Sequence, residues 1–504
     1  MRISSLPASF STLFSTGLST LLSSPWSCAP LLFAASLLAF PPAVPAQGLP
    51  DLGDAGQVLL SPQMERRIGE SIMRDIRQRD PAFVDDPELT EYLNALGTRL
   101  VANSQEVRQE FEFFLIRDKT LNAFAMPGGY IGVHTGLIVA AQSESELAAV
   151  LAHEIAHVTQ HHLARMVSKD GQLSMAMMAA MVVAILSRNT QLGSAAAAIG
   201  QASAITAQIG FTRDFEREAD RLGFLTLEKS KFDVRAMPDF FQRLQKAGRL
   251  YENNAPAYLR THPITSERIA DAQNRIQGLA YKQTPDSLDF QLVRAKLRAE
   301  QGGPREALLQ MQSDWQERKF SNETAARYAL AVALLRAKET ARAEAELAPL
   351  LKTSDHPLVA GLAARIKQAN GDQGGAADML KLALARYPNN RALNYAYIDA
   401  QQQQGRHADA AVLLDEQIKN YPRDARLYAL RAKSYASMGK RLLQHQSQAE
   451  AYLLQGSLPT AIEQLELAQK SGDGDFYQLS SVEARLRDLR KQLAEEMKEA
   501  KEKK

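Results

Sequence analysis

The chain has 504 residues, more than one ordinary hydrophobic core organises, so two or more domains are expected. It is 45% hydrophobic and 23% charged, the balance of a soluble globular protein. The formal net charge is only +2, which argues against nucleic acid or a strongly anionic partner.

The first residues read as a secretory signal. Arg2 is the only charge before Asp51, and Leu31 to Phe40 is an apolar run too short to span a bilayer. Val44-Pro45-Ala46 offers small residues at a cleavage site, so residues 1–46 are expected to be a signal peptide and Gln47 the start of the mature chain. The only cysteine, Cys28, lies in that leader, which suits an oxidising envelope compartment.

Residues 61–105 read as helical, with amphipathic spacing over Met64 to Arg79 and Leu89 to Val101. Phe111 to Ile116 and Tyr130 to Val133 read as strands, and Pro127-Gly128-Gly129 marks a tight turn before the second. This short strand and turn suits either an edge that pairs with an extended peptide or an ordinary hairpin.

The next helix carries the chemistry. Ser143 with Glu146 forms a capping-box start, and Leu147 to Val158 is apolar except at His153, Glu154 and His157. Residues four apart share a helix face, so His153 and His157 can grip one metal ion. Glu154 lies about 100 degrees round the helix, within reach of a water on that metal. Zinc suits this His-Glu-x-x-His spacing. One class of zinc peptidase carries a third His about six residues after the second. Here that residue is Leu163, and His161 and His162 cannot close a tetrahedron from the same helix. They read as supporting or surface residues.

A second carboxylate pair follows. Glu216 and Asp220, in Phe-Glu-Arg-Glu-Ala-Asp, share a helix face, while Glu218 points away. One of the pair can ligate zinc and the other can hold a histidine N–H. Between the two motifs, Met175 to Leu186 is apolar and Asn189 to Thr212 carries no charge. This insert reads as a helical hairpin that covers the site or touches membrane or unfolded substrate.

HEIAH, then FEREAD, preceded by NAFAMPGGY and followed by Thr261-His262-Pro263, resembles the family-48 metallopeptidases, which include the CAAX prenyl proteases. The resemblance implies His153, His157 and Glu216 as zinc ligands, Glu154 as catalytic base and Asp220 as a supporting carboxylate. It leaves His262 two roles: stabilising the oxyanion, with Arg268 in support, or filling the open zinc position as a gate. The prenyl proteases' several membrane spans are missing, which disfavours a prenylated substrate. The order of domains is closer to periplasmic members that serve outer-membrane assembly.

From about 286 the texture changes to Ala/Leu/Gln-rich helices. Gly371, Gly405 and Gly439 recur every 34 residues, as do Tyr387-Pro388 and Tyr421-Pro422, and Ala377 and Ala411. That period fits tetratricopeptide repeats, with Gly456 and Ala461 opening a final degenerate unit. The expected fold class is therefore mainly α: a helical zincin-type peptidase with a small β-sheet over 47–280, then an α-solenoid over 286–485 and a charged tail over 486–504. The two halves are expected to be separable near Gln277.

The resemblance further implies a zinc-dependent endopeptidase of the periplasm. Its substrates would be unfolded or misassembled outer-membrane β-barrel proteins. Its repeats would meet the β-barrel assembly machinery, with peripheral membrane contact and no nucleic acid. The rival is a chaperone-like adaptor with a largely shut peptidase.

Overall fold

The computed structural model describes residues 61–502, apart from 106, 108, 171–212, 251–256 and 281–283. The expected leader and the apolar insert lie outside the described residues. Among the described residues, no helix is long and apolar enough to cross a membrane.

Two helices open the N-terminal half, α1 (Pro62–Arg79) and α2 (Pro87–Val101). Each starts with Pro at a position where no backbone N–H is needed, behind a capping side chain, Ser61 or Asp86. A three-stranded sheet follows, made of β1 (Glu112–Ile116), β2 (Ala123–Met126) and β3 (Tyr130–His134). Its order is β1-β3-β2, with β1 parallel and β2 antiparallel to β3. The hairpin expected around Pro127–Gly129 is present, and the Ala-Phe-Ala-Met lead-in is itself a strand at the sheet edge.

Next come α3 (Thr135–Ala140) and α4 (Glu144–Thr159), the helix of the His-Glu-x-x-His motif. Every residue of α4 is buried, which explains its apolar texture. Ser143 caps it by accepting from the Glu146 N–H at 3.2 Å. Glu146 does not return the bond to Ser143 as in a full capping box. Its carboxylate accepts from the Gln142 N–H at 2.6 Å and from Arg243 at 2.5 Å. The half continues with α5 (His162–Asp170), α6 (Arg213–Lys229), α7 (Ala236–Leu250), α8 (Ala257–Thr261) and α9 (Ser266–Ile276). Helix α6 crosses α4 closely at Gly223, where a Cβ would lie 3.1 Å from His153 N. That approach carries Glu216 and Asp220 to the histidines.

The repeat half is a series of helix pairs: α10 and α11 (Leu288–Ala299, Pro304–Gln316), α12 and α13 (Glu323–Arg336, Thr340–Thr353), and α14 and α15 (Pro357–Ala369, Gln373–Arg386). It continues with α16 and α17 (Arg391–Gln403, His407–Asn420), α18 and α19 (Ala425–Ser437, Arg441–Leu454), and α20 and α21 (Leu458–Gln469, Phe476–Glu502). The periodic glycines Gly371, Gly405 and Gly439 sit at the turn inside a pair with φ of 85°, 73° and 72°. Only glycine takes that left-handed turn without strain, which is why the residue recurs. Ala377 and Ala411 are buried where helices approach. The last helix runs through the expected boundary at 485 to Glu502.

One core joins the halves. It includes Leu93, Leu147 and Phe240 of the N-terminal half together with Phe290, Tyr328 and Leu362 of the repeats. The first turn of α4 is tied to the start of the array. Glu144 accepts from Ser287 Oγ at 2.8 Å and from the Ser287 N–H at 3.0 Å, and its own N–H donates to Asp286 at 2.7 Å. Further along, Gln78 of α1 donates to the Gln455 carbonyl at 2.6 Å. This continuity runs against the expected independence of the two halves. A chain ending near Gln277 would strip these partners from α4 and expose its core.

Lys296 of α10 marks the joint. It is 1% exposed, with Nζ 2.5 Å from both Asp86 Oδ2 and Glu88 Oε2 at the start of α2. An ammonium this deep is tolerable only while both carboxylates hold it. Burial works against charge on Asp86, yet the Lys296 ammonium outweighs it and holds that carboxyl below its usual range. The resulting stability is fully present above the unfolded carboxyl pKa, about 4, and is lost as pH falls through the depressed folded value. Lys296→Ala should cost about 3 kcal/mol in thermal or urea unfolding at neutral pH. Much of that difference should disappear in acid, where Asp86 is protonated; a neutral-pH loss under ~0.5 kcal/mol would contradict this account.

Candidate metal centre

Four side chains from three segments converge beneath α8. His153 and His157 come from successive turns of α4, Glu216 from α6, and His262 from just after α8. All are almost fully buried. His157 Nε2 lies 3.0 Å from His153 Nε2, and His153 Nε2 lies 3.3 Å from His262 Nδ1. Glu216 Oε1 lies 2.9 Å from His262 Nδ1 and 3.4 Å from His157 Nε2, and its Oε2 lies 3.6 Å from His153 Nε2. The four ligand atoms fall within 4.8 Å of one another.

These spacings can be tested against a zinc ion. Zinc–nitrogen and zinc–oxygen bonds near 2.0–2.1 Å in a tetrahedron put neighbouring ligand atoms about 3.3 Å apart. The five distances above, 2.9–3.6 Å, bracket that value. Imidazole lone pairs and a carboxylate aimed at one point repel each other unless a cation lies between them. The residues present fit the metal.

Supporting groups orient the set. Asp220 Oδ1 is 3.0 Å from His153 Nδ1, the ring nitrogen turned away from the cluster. Arg268 braces the carboxylates: Nε and Nη2 donate to Asp220 at 2.7 and 2.8 Å, and Nη1 lies 2.6 Å from Glu216 Oε2. Arg268 also donates to the Pro263 carbonyl at 2.8 Å. It therefore holds Asp220 and Glu216, where the sequence reading had it supporting His262 directly. Burial disfavours charge on Asp220, but Arg268 overcomes it and keeps the carboxyl low. Glu216 is likewise held well below the usual range, since His262, His153 and His157 outweigh its burial. Burial also opposes charge on His153, yet Asp220 and Glu216 hold its imidazole up at about 9. An incoming metal must displace that proton.

Glu154 is fully buried beside the cluster. Burial pushes its carboxyl up despite the nearby imidazoles of His262 and His153. His262 Nε2 is 3.5 Å from Glu154 Oε1. Tyr258 stacks on His262 at 4.7 Å, and its N–H meets the Leu121 carbonyl at 3.4 Å. That contact lies at the open edge of the sheet. His134 donates to the Asn122 carbonyl, so Ala123 and Ala125 occupy the alternate positions of β2 and turn their N–H and C=O away from β3.

Of the residues singled out by sequence, His153, Glu154, His157, Glu216, Asp220 and His262 are brought together. His161 lies off the cluster against Glu65. Glu218 also lies off it and meets His162, a contact that its position on the helix did not reveal.

Residues 87–276 match Peptidase family M48, and residues 368–434 match the tetratricopeptide repeat. The fold, the site and these matches define a metallopeptidase with an attached repeat array. The beta-barrel assembly-enhancing protease of Escherichia coli strain K12 is 33% identical over 460 residues, 90% of this chain and 93% of that one. With that relative, the chain belongs to peptidase family M48. A Vibrio cholerae chain is 43% identical over 257 residues, 51% of this chain and 53% of that one. The mitochondrial metalloendopeptidase OMA1 of Schizosaccharomyces pombe is 29% identical over 217 residues, 42% of this chain and 60% of that one.

Proposed function

We propose that the protein is a zinc endopeptidase of the periplasm that serves the assembly and quality control of outer-membrane β-barrel proteins and degrades misassembled precursors. The observation that carries the chemistry is the convergence of four buried ligand atoms within 4.8 Å of one another. The relatives named as beta-barrel assembly-enhancing proteases support the biological setting. In this reading His153 Nε2, His157 Nε2 and Glu216 would hold the metal, and Asp220 would fix the orientation of His153. When bound, zinc polarises the scissile carbonyl and makes a water acidic. Glu154 takes the water proton and delivers it to the leaving amine, a task suited to a buried carboxylate whose pKa burial raises.

An extended peptide adds to the edge of β2, where Ala123 and Ala125 present their backbone groups. The Tyr258 N–H meets the Leu121 carbonyl just before β2, and His262 Nδ1 stands among the ligand atoms. This supports His262 as a gate that closes the fourth metal position and must withdraw before substrate enters. The repeats serve partners such as the β-barrel assembly machinery, although part of their surface already packs on α2.

The closed arrangement also favours a second reading, a repeat adaptor whose peptidase is largely shut. Complementation separates them. Glu154→Gln should fail to restore outer-membrane integrity in cells lacking the protein; full rescue by that variant would favour the adaptor.

A further inference from the structure

His157 differs from His153 in how it is held. Its Nε2 faces the cluster, so Nδ1 carries the ring proton when His157 ligates. That Nδ1 lies 2.9 Å from Nδ1 of another imidazole, His162. The nitrogen receiving this proton must be bare, which leaves the single N–H of neutral His162 on Nε2. His162 Nε2 lies 3.0 Å from Glu218 Oε2, and the same oxygen accepts from Arg165 Nη1 at 2.9 Å. We propose that His162 and Glu218 form a positioning pair, fixing the tautomer of His157 and aiming its Nε2 lone pair at the metal. The proposal rests on the reading of His157 as a ligand.

The local structure is shaped to make this contact. On a continuous helix, residues five apart lie about 140° round the axis and do not face one another. Helix α4 stops at Thr159, and His161 takes φ 49°, a left-handed conformation uncommon without glycine. The turn folds His162 back beside His157. The His162 ring has no exposure and stacks on Phe215 at 4.5 Å, while Arg165 lies over the same phenyl ring at 4.8 Å. Helix α6 therefore supplies four functions in six residues: Phe215 packs His162, Glu216 reaches the metal cluster, Glu218 holds His162, and Asp220 holds His153. One histidine ligand is oriented by a carboxylate directly, and the other by a carboxylate through an intervening imidazole.

Two substitutions separate hydrogen bonding from packing. His162→Phe keeps a ring against Phe215 and removes the acceptor. His162→Asn gives up the ring but offers Oδ1 where Nδ1 stood. Zinc affinity is measured on the full chain by competition with a chromophoric chelator, alongside Glu218→Ala. The expected result is an affinity about 10–100-fold weaker for His162→Phe, the scale of a metal-supporting contact. His162→Asn should stay closer to wild type, and Glu218→Ala should fall between them. Wild-type affinity in His162→Phe, or a weaker His162→Asn than His162→Phe, overturns the proposal. Should His162→Phe fail to fold, Glu218→Ala decides, because that side chain is 28% exposed and its loss leaves the core intact. Unchanged zinc affinity there overturns the pair. A wild-type chain that binds no zinc would instead end the zinc reading itself.

Discussion

Glu154→Gln should retain zinc and lower peptide hydrolysis by about 10³–10⁴-fold, the upper range for removing a general base. Gln matches Glu in size, so the fully buried position stays filled. It cannot take a proton from water, and among the described residues no other carboxylate near the cluster is available to replace it. Asp220 is engaged by Arg268 and His153, and Glu216 by the cluster itself. The measurement is best made in a His262→Ala background, where the fourth position is open. Casein cleavage that persists within about tenfold of the parent would remove Glu154 from the role of base.

His262→Ala should raise cleavage of casein and of the protein itself. A site closed 99% of the time offers only about 1% of its molecules to substrate, so removing the gate can raise the apparent rate by up to about 100-fold. The position of the ring motivates the sign. Nδ1 stands 3.3 Å from His153 Nε2 and 2.9 Å from Glu216 Oε1, where a fourth ligand atom belongs, and Nε2 lies 3.5 Å from Glu154. A catalytic His262 gives the opposite sign, a loss of about 10²–10³-fold, as for one oxyanion donor. A fall in activity toward every substrate tested would end the gate. The cell should report the same sign, since an ungated enzyme would deplete normal envelope proteins.

The candidate metal cluster was legible because its spacing follows helix geometry. His153 with His157 and Glu216 with Asp220 each repeat at four residues, and an apolar helix makes polar residues conspicuous. Other features depend on tertiary contacts that no local pattern encodes. Strand β2 is four residues long, two of them Ala, and it is a strand only because β3 pairs with it. His162 meets His157 only through the left-handed His161, and nothing about a histidine announces that conformation. Lys296 reads as one more surface lysine in a charged helix, yet it is buried between Asp86 and Glu88. The repeat period was visible where glycine closes the turn inside a pair and where Tyr-Pro follows its second helix. At the corresponding turn between α12 and α13 the residue is Lys338, with φ 64°, so the signal vanishes while the fold persists. The shared core of the two halves was hidden for the same reason: periodicity tells which residues are apolar, not which partner covers them.

The most direct test of the account is the metal content of the purified chain and of Glu216→Ala, measured by plasma mass spectrometry after exhaustive dialysis. Glu216 lies far from the histidine helix in sequence, so it tests the assembled site rather than the motif. The account requires about one zinc per wild-type molecule, as for a single closed site, and little or none in Glu216→Ala. Full zinc occupancy in Glu216→Ala, or its absence from the wild-type protein, would contradict it.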